Sequence, residues 1–174
     1  MRKLYHILAL VLISVMLAGC AGNPYKEGMT SLEEGNYKEA AESFQQAVEK
    51  DKNTADAYRG LGIALWEQED YEGACDAFGK ALKEGTEKNG TLYNFLGNCE
   101  LKLGNPKKAL SYYEKGLKDK ECSKALVQQM EYNIIVSYEG MEEWEQAKEA
   151  LSKYTETYPD DETAQKELQF LETR

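Results

Sequence analysis

The side chains that most often carry enzyme chemistry are scarce in this 174-residue sequence. Its one histidine, His6, lies in an apolar segment at the start of the chain. The remainder therefore has no means of Ser-His-Asp or Cys-His catalysis, histidine metal ligation or a histidine pH switch. Paired carboxylates such as Asp160 and Glu162 could in principle exchange protons, but they lie in a charged terminal stretch without a pocket signature. We expect no enzyme, no metal and no cofactor.

The first residues have the pattern of an export signal. Arg2 and Lys3 form a short positive start, and Leu4 to Leu17 is nearly all apolar. Fourteen helical residues span about 21 Å, which is too short for a hydrocarbon core of about 30 Å. The segment is therefore predicted to be a secretory signal and not a stable membrane span.

The signal ends in Leu17-Ala18-Gly19-Cys20. This stretch resembles the bacterial lipobox, in which small residues precede an invariant cysteine. The resemblance implies cleavage after residue 19 and acylation of Cys20, with residues 20–23 as a short tether. The protein would then be exported and attached by lipid to the extracytoplasmic face of a bacterial membrane. The alternative is an ordinary signal peptide with a chance cysteine.

The chain is strongly acidic. Its formal net charge is −10, and removal of Arg2 and Lys3 with the leader would lower the charge to −12. Nucleic-acid binding needs a basic footprint, so nucleic acid is excluded as a partner.

A sequence frame recurs along the rest of the chain. A glycine is followed twelve residues later by alanine, four later by an aromatic residue and three later by a small residue. The copies are Gly28, Ala40, Phe44, Ala47; Gly62, Ala74, Phe78, Ala81; Gly97, Ala109, Tyr113, Gly116; and the degenerate Ile135, Ala147, Leu151, Tyr154. The alanine and aromatic positions fall on one helix face, where glycine and alanine let two helices approach.

This frame resembles the tetratricopeptide repeat, a 34-residue helix–turn–helix unit, over about residues 23 to 160. The resemblance implies an all-α fold, a right-handed superhelical α-solenoid of about four units with a C-terminal capping helix. The expected units are 24–53, 54–87, 88–121 and 124–160, with the cap at 161–174. The longer spacing before the fourth copy indicates either a long loop or a first helix extended back to Ser123.

In this family the first helices of the units line a concave groove. The stripe at −3, +1 and +4 from the glycine position is predicted to face that groove. Arg59 could bind a carboxylate, and the i, i+4 amides of Asn94 and Asn98 could bind a peptide main chain. The alternative is that stripe residues, especially Leu32, Trp66 and Leu101, only pack neighbouring helices. The candidate groove residues are Tyr25, Met29, Arg59, Ile63, Trp66, Asn94, Asn98, Tyr132 and Val136.

Three cysteines remain besides Cys20, namely Cys75, Cys99 and Cys122. There is no C-x-x-C motif, and an odd number cannot all pair within one chain. Cys75 and Cys99 are expected to be small buried apolar residues. A Cys75–Cys99 disulfide between adjacent repeats is the alternative, since an exported protein meets an oxidising environment.

These features predict a membrane-tethered adaptor that binds a peptide or protein segment in its groove; the family resemblance suggests assembly of a cell-envelope complex as its setting. Its expected partners are a protein segment and, through Cys20, the lipid bilayer. The alternative is a structural or self-associating envelope subunit that has no groove ligand.

Overall fold

The computed structural model describes residues 22–85 and 89–173, so the leader and Cys20 lie outside the described residues. The described part is all-α and contains no strand, which confirms the expected class. Its helices are α1 Pro24–Glu33, α2 Tyr37–Glu49, α3 Thr54–Glu67, α4 Tyr71–Lys83, α5 Gly90–Lys102, α6 Pro106–Gly116, α7 Lys124–Gly140, α8 Trp144–Thr157 and α9 Glu162–Glu172. Among the described residues, no helix combines the length and apolarity needed to cross a membrane.

Successive helices pack as hairpins, each hairpin stacks on the next, and α9 closes the array against α8. Side chains cap several helix starts: the Asn23 side chain accepts from the amides of Tyr25 and Lys26, and Asp70 Oδ1 accepts from Gly73 N. These bonds satisfy amides that the first helical turn leaves unpaired. Ser123 Oγ accepts from Leu126 N at the start of α7, so the fourth unit has the extended first helix and not the long loop.

The core is made by aromatic rings lying against glycines. Phe44 on α2 is fully buried, and it fills the space beside Gly28 of its own unit and Gly60 of the next. Phe78 packs on Gly62 and Tyr113 packs on Gly97 in the same way. In the fourth unit the large Ile135 occupies the glycine position, and the smaller Leu151 replaces the aromatic residue. The two substitutions keep the volume at this contact similar, which a close-packed interior requires.

The capping helix α9 attaches through both apolar and polar contacts. Ala164 and Leu171 are buried, and the half-buried Leu168 packs with them. Two further contacts join α9 and its N-terminal turn to the fourth unit: Tyr132 OH donates to Glu167 Oε2 at 2.8 Å, and Tyr154 OH donates to Asp161 Oδ2 at 2.9 Å. Hydrogen bonds to charged acceptors are among the stronger ones, so the cap has a fixed position.

Replacing Gly62 by alanine tests the glycine–aromatic contact. An added methyl would lie 2.6 Å from Phe78 Cε1, so the ring or the helix must shift. Overpacking of this kind should lower the free energy of unfolding by about 1–3 kcal/mol. Urea unfolding at equilibrium measures the change.

Gly79→Ala is the matched control, because it adds the same methyl group to the interior of α4 where nothing lies within 4 Å. It should stabilise the protein by about 0.5–1 kcal/mol through helix propensity. Equal effects of the two substitutions would contradict the packing described for Phe78.

Candidate functional site

The inner face of the array is formed by the first helices α1, α3, α5, α7 and α9. On α5 and α7 the predicted stripe lies on the side that turns toward the next first helix. Three hydrogen bonds show this, each joining residues 35 apart: Asn94 to Gln129, Asn98 to Asn133, and Tyr132 to Glu167. The stripe therefore borders both the groove and the contact between neighbouring units. In some units its side chains line the groove, and in others they contact the neighbouring helix.

In the first three units the inner face opens into a cavity of about 210 Å³. Four predicted residues line it, namely Tyr25, Met29, Arg59 and Ile63. The remaining lining residues are Leu32, Asp56, Gly60, Asn89, Thr91, Leu92 and Phe95. We call this space the inner cavity.

Two aromatic residues of the core support the walls of the inner cavity. The Tyr25 ring lies 6.0 Å from the Phe44 ring, centroid to centroid, and Phe95 stacks on Phe78 at 5.1 Å with 14° between the planes. Gly60 lines the inner cavity without a side chain, and the Phe44 ring occupies the space that a Cβ atom there would take. Phe95 was not among the residues predicted from the sequence. It occupies the repeat position that Gly60 has 35 residues earlier in the chain.

Arg59 is the cationic group of the inner cavity. One guanidinium nitrogen lies 3.2 Å from Asp56 Oδ1, and the two side chains are 44% and 51% exposed. An exposed pair one turn apart contributes about 0–1 kcal/mol. Arg59 can therefore exchange this partner for a carboxylate of a bound segment at little cost.

Trp66 does not line the inner cavity. Its ring makes an edge contact with Tyr71, 4.9 Å between centroids, and it packs against the core between the second and third units. Leu101 likewise packs near Tyr113 and Met130. These two stripe residues therefore pack against neighbouring helices, as the alternative interpretation expected.

Asn94 and Asn98 are engaged within the protein, and they do not form the pair of free amides that the sequence suggested. Asn94 Nδ2 donates to Gln129 Oε1 at 3.1 Å, and Asn94 is only 6% exposed. Asn98 Oδ1 accepts from Tyr113 OH at 2.7 Å and from Asn133 Nδ2 at 3.0 Å. The α5–α7 contact is thus closed by polar side chains, because α7 supplies matching amides at i+35.

Tyr132 and Val136 lie where the fourth unit meets α9. Tyr132 donates to Glu167 and contacts the Tyr154 ring at 5.5 Å, and Val136 is half-buried. Burial and the Glu167 carboxylate raise the pKa of Tyr132 above its ordinary value. Burial, and after it the charge of Glu167, also raise the pKa of Glu139 to about 6. This end of the inner face is therefore occupied by α9.

Cys75, Cys99 and Cys122 are free thiols in the structure, so the alternative Cys75–Cys99 disulfide is not formed. Cys99 is fully buried, whereas Cys75 is half-buried and its Sγ donates to Glu100 Oε1 at 3.5 Å. Burial raises the pKa of Cys75 to about 11 and that of Cys99 to about 12. Both thiols stay protonated near neutral pH, which makes them weak nucleophiles. The described residues contain no cluster of histidine, cysteine and carboxylates able to hold a metal.

Comparison with family models supports the repeat frame directly. Three models described as tetratricopeptide repeat match residues 25–89, 90–118 and 130–161. The chain is a tetratricopeptide repeat protein. Among curated proteins no match was found.

Solved structures of tetratricopeptide proteins share the fold, which confirms the expected right-handed α-solenoid. MamA 41-end from Desulfovibrio magneticus RS-1 is 24% identical, with a TM-score of 0.73 over 89% of this chain and 87% of that chain. YrrB, described as a TPR protein with an unusual peptide-binding site, is 26% identical, with a TM-score of 0.70 over 81% and 70%. The TPR2AB domain of yeast Sti1, solved as a complex with pHSP90, is 20% identical, with a TM-score of 0.51 over 81% and 65%.

The contact between Glu139 and Glu167 predicts a pH-dependent stability of the tetratricopeptide array. The folded pKa of Glu139, about 6, lies above the ordinary value of 4.5. The folded protein holds the Glu139 proton more tightly than the unfolded chain does. The resulting contribution to stability is therefore complete below pH 4.5 and is lost as the pH rises through 6. Glu139→Gln should therefore flatten the decline in the free energy of unfolding between these two values, measured by urea titration at several pH values.

Glu156→Gln, at an exposed position on α8, is the control and should leave that decline unchanged. An equal decline in the free energy of unfolding for wild type and Glu139→Gln would contradict the role given to Glu139.

Proposed function

We propose that this tetratricopeptide protein is a membrane-anchored scaffold that binds a partner segment in the inner cavity, in the service of cell-envelope complex assembly. Tetratricopeptide proteins are in general protein-interaction scaffolds without enzymatic activity. The observation that carries the proposal is the inner cavity, which is formed jointly by the first helices of three units. Two structural neighbours support a peptide or protein ligand, because one has a peptide-binding site and the other was solved with pHSP90.

The composition of the inner cavity favours one large apolar side chain with a carboxylate beside it. Met29, Leu32 and Ile63 supply an aliphatic wall. Full burial of a leucine-sized or phenylalanine-sized side chain is worth about 1.5–3 kcal/mol. Arg59 at the cavity can pair with an acidic side chain or a chain end.

Membrane attachment is proposed from the leader and Cys20. One acyl chain binds membranes only marginally, whereas the two or three chains of a lipoprotein hold it permanently. Helix α1 begins at Pro24, four residues after Cys20, and four extended residues reach only about 14 Å. This short tether would keep the first unit, and with it the inner cavity, close to the membrane surface.

The surface at the C-terminal end of the array favours a scaffold, because it is poorly suited to a subunit that polymerises end to end. The open surface between α8 and α9 is lined mainly by charged and polar side chains, among them Glu145, Lys148, Glu149, Lys153 and Glu172. Stacking of a further helix there would desolvate these groups, which costs free energy unless each is paired.

Arg59→Ala should weaken partner binding without unfolding the domain, because the side chain is half exposed. Loss of a charged hydrogen bond is worth about 1.5–3 kcal/mol, or roughly ten- to hundredfold in affinity. The partner is first identified by crosslinking in intact cells, and its affinity for the purified variant is then measured by calorimetry.

The control is Lys38→Ala, which removes an exposed cation on α2, outside the inner cavity. Equal affinity of wild type, Lys38→Ala and Arg59→Ala would exclude the inner cavity as the binding site.

Cys20→Ser should abolish lipid attachment, since serine has no thiol to acylate. In cells fed labelled palmitate, the wild type is expected to carry the label and fractionate with membranes. The variant is expected to lose the label, while Cys122→Ser retains it. Label on Cys20→Ser would contradict the assignment of Cys20.

A further inference from the structure

The outer side of the array carries a second open space, independent of the inner cavity. It lies between α2 and α4 with α3 as its floor, and its volume is about 560 Å³. Its floor is Tyr58, Leu61 and Leu65, and Ala77 and Lys80 of α4 and Glu42 of α2 lie at its sides. We call this space the outer groove.

The equivalent contact between the second and third units shows what fills such a groove. The 35-residue frame places Tyr93 where Tyr58 lies, and Tyr112 where Ala77 lies. Tyr112 stacks on Tyr93 with 6.4 Å between centroids and 27° between the planes, and Lys115 Nζ lies 5.1 Å from the Tyr112 ring centroid. An aromatic ring from the chain itself thus covers Tyr93.

The first two units lack that ring, because Ala77 is too small to reach across the outer groove. Lys80, which corresponds to Lys115, instead lies 5.7 Å from the centroid of the Tyr58 ring. The Tyr58 ring and the Leu65 side chain therefore remain half-buried at an open surface. The space that Tyr112 fills at one contact is left open at the other.

The charges around the outer groove favour a basic neighbour for the missing ring. Lys80 Nζ lies 2.7 Å from Asp76 Oδ2, so these two charges compensate each other. Glu42 is exposed and forms no ion pair in the part of the chain that the structure describes. One uncompensated negative charge thus borders an apolar floor.

We propose that the outer groove binds an aromatic side chain of a partner segment, stacked on Tyr58 as Tyr112 is stacked on Tyr93, with a basic residue beside it that pairs with Glu42. Aromatic pairs prefer offset-stacked or edge geometries and contribute beyond the area they bury. The array would then have two binding surfaces, with an acidic or C-terminal group favoured at the inner cavity and a basic one at the outer groove.

The probe is the capped dipeptide acetyl-Tyr-Lys-amide, with acetyl-Ala-Lys-amide and acetyl-Tyr-Glu-amide as comparisons. Methyl resonances of Leu61, Leu65 and Ala77 report on the outer groove, and that of Ile63 reports on the inner cavity. Acetyl-Tyr-Lys-amide should shift the first three in a saturable way and leave Ile63 unchanged. It should bind about two- to fivefold more tightly than acetyl-Tyr-Glu-amide, the range expected for one exposed ion pair. Equal shifts with acetyl-Ala-Lys-amide, or none with any probe, would overturn the proposal.

Two variants separate the ring from the charge. Glu42→Gln should remove the preference for lysine over glutamate, whereas Glu49→Gln, an exposed α2 residue outside the outer groove, should keep it.

Ala77→Tyr places in the first contact the residue that the second contact has, so it should fold and abolish probe binding. If Ala77→Tyr does not fold, Tyr58→Leu serves instead, since it removes the ring platform and keeps an apolar side chain. Unchanged probe binding by the folded variant, or occupation of the outer groove by a second copy in sedimentation experiments, would refute the assignment.

Discussion

The contact between an aromatic ring and a glycine holds this array together. Phe44, Phe78 and Tyr113 are fully buried, and each lies where a side chain on the facing glycine would collide with it. No single helix pair can bury its apolar face alone, so Phe44 must reach Gly60 of the next unit as well as Gly28 of its own. The ring thereby fixes both the packing within a unit and the stacking of units, and every surface feature depends on that spacing.

Because the frame is so regular, the few positions that vary determine where the array is open. Gly60 lines the inner cavity with backbone alone and is covered by Phe44, whereas Phe95 at the next equivalent position supplies a ring as one wall of the cavity. Ala77 leaves the outer groove open, whereas Tyr112 closes the next one. Both open spaces involve the first two units, which the proposed tether would place nearest the membrane. The later units close their contacts with side-chain amides and with tyrosine–carboxylate bonds.

The sequence predicted the fold well because each copy of the repeat specifies the same packing of two helices. Glycine, alanine and aromatic residues at fixed intervals specify a helix pair, and even the degenerate copy at Ile135 keeps the frame. The site was predicted only in part. Tyr25, Met29, Arg59 and Ile63 line the inner cavity, but Asn94 and Asn98 are bound by α7. Helical periodicity shows which way a side chain points, whereas the residue that meets it 35 positions later depends on how the units stack.

We propose that the first three units, and not the fourth, receive the partner segment. It is tested most directly by a photoreactive benzophenone amino acid placed at Thr91, an exposed residue lining the inner cavity, or at Ala125, an exposed residue at the start of α7. After irradiation of intact cells, mass spectrometry identifies the crosslinked peptide. We expect a defined adduct with one partner segment from position 91 and none from position 125. An adduct from position 125 alone would contradict it.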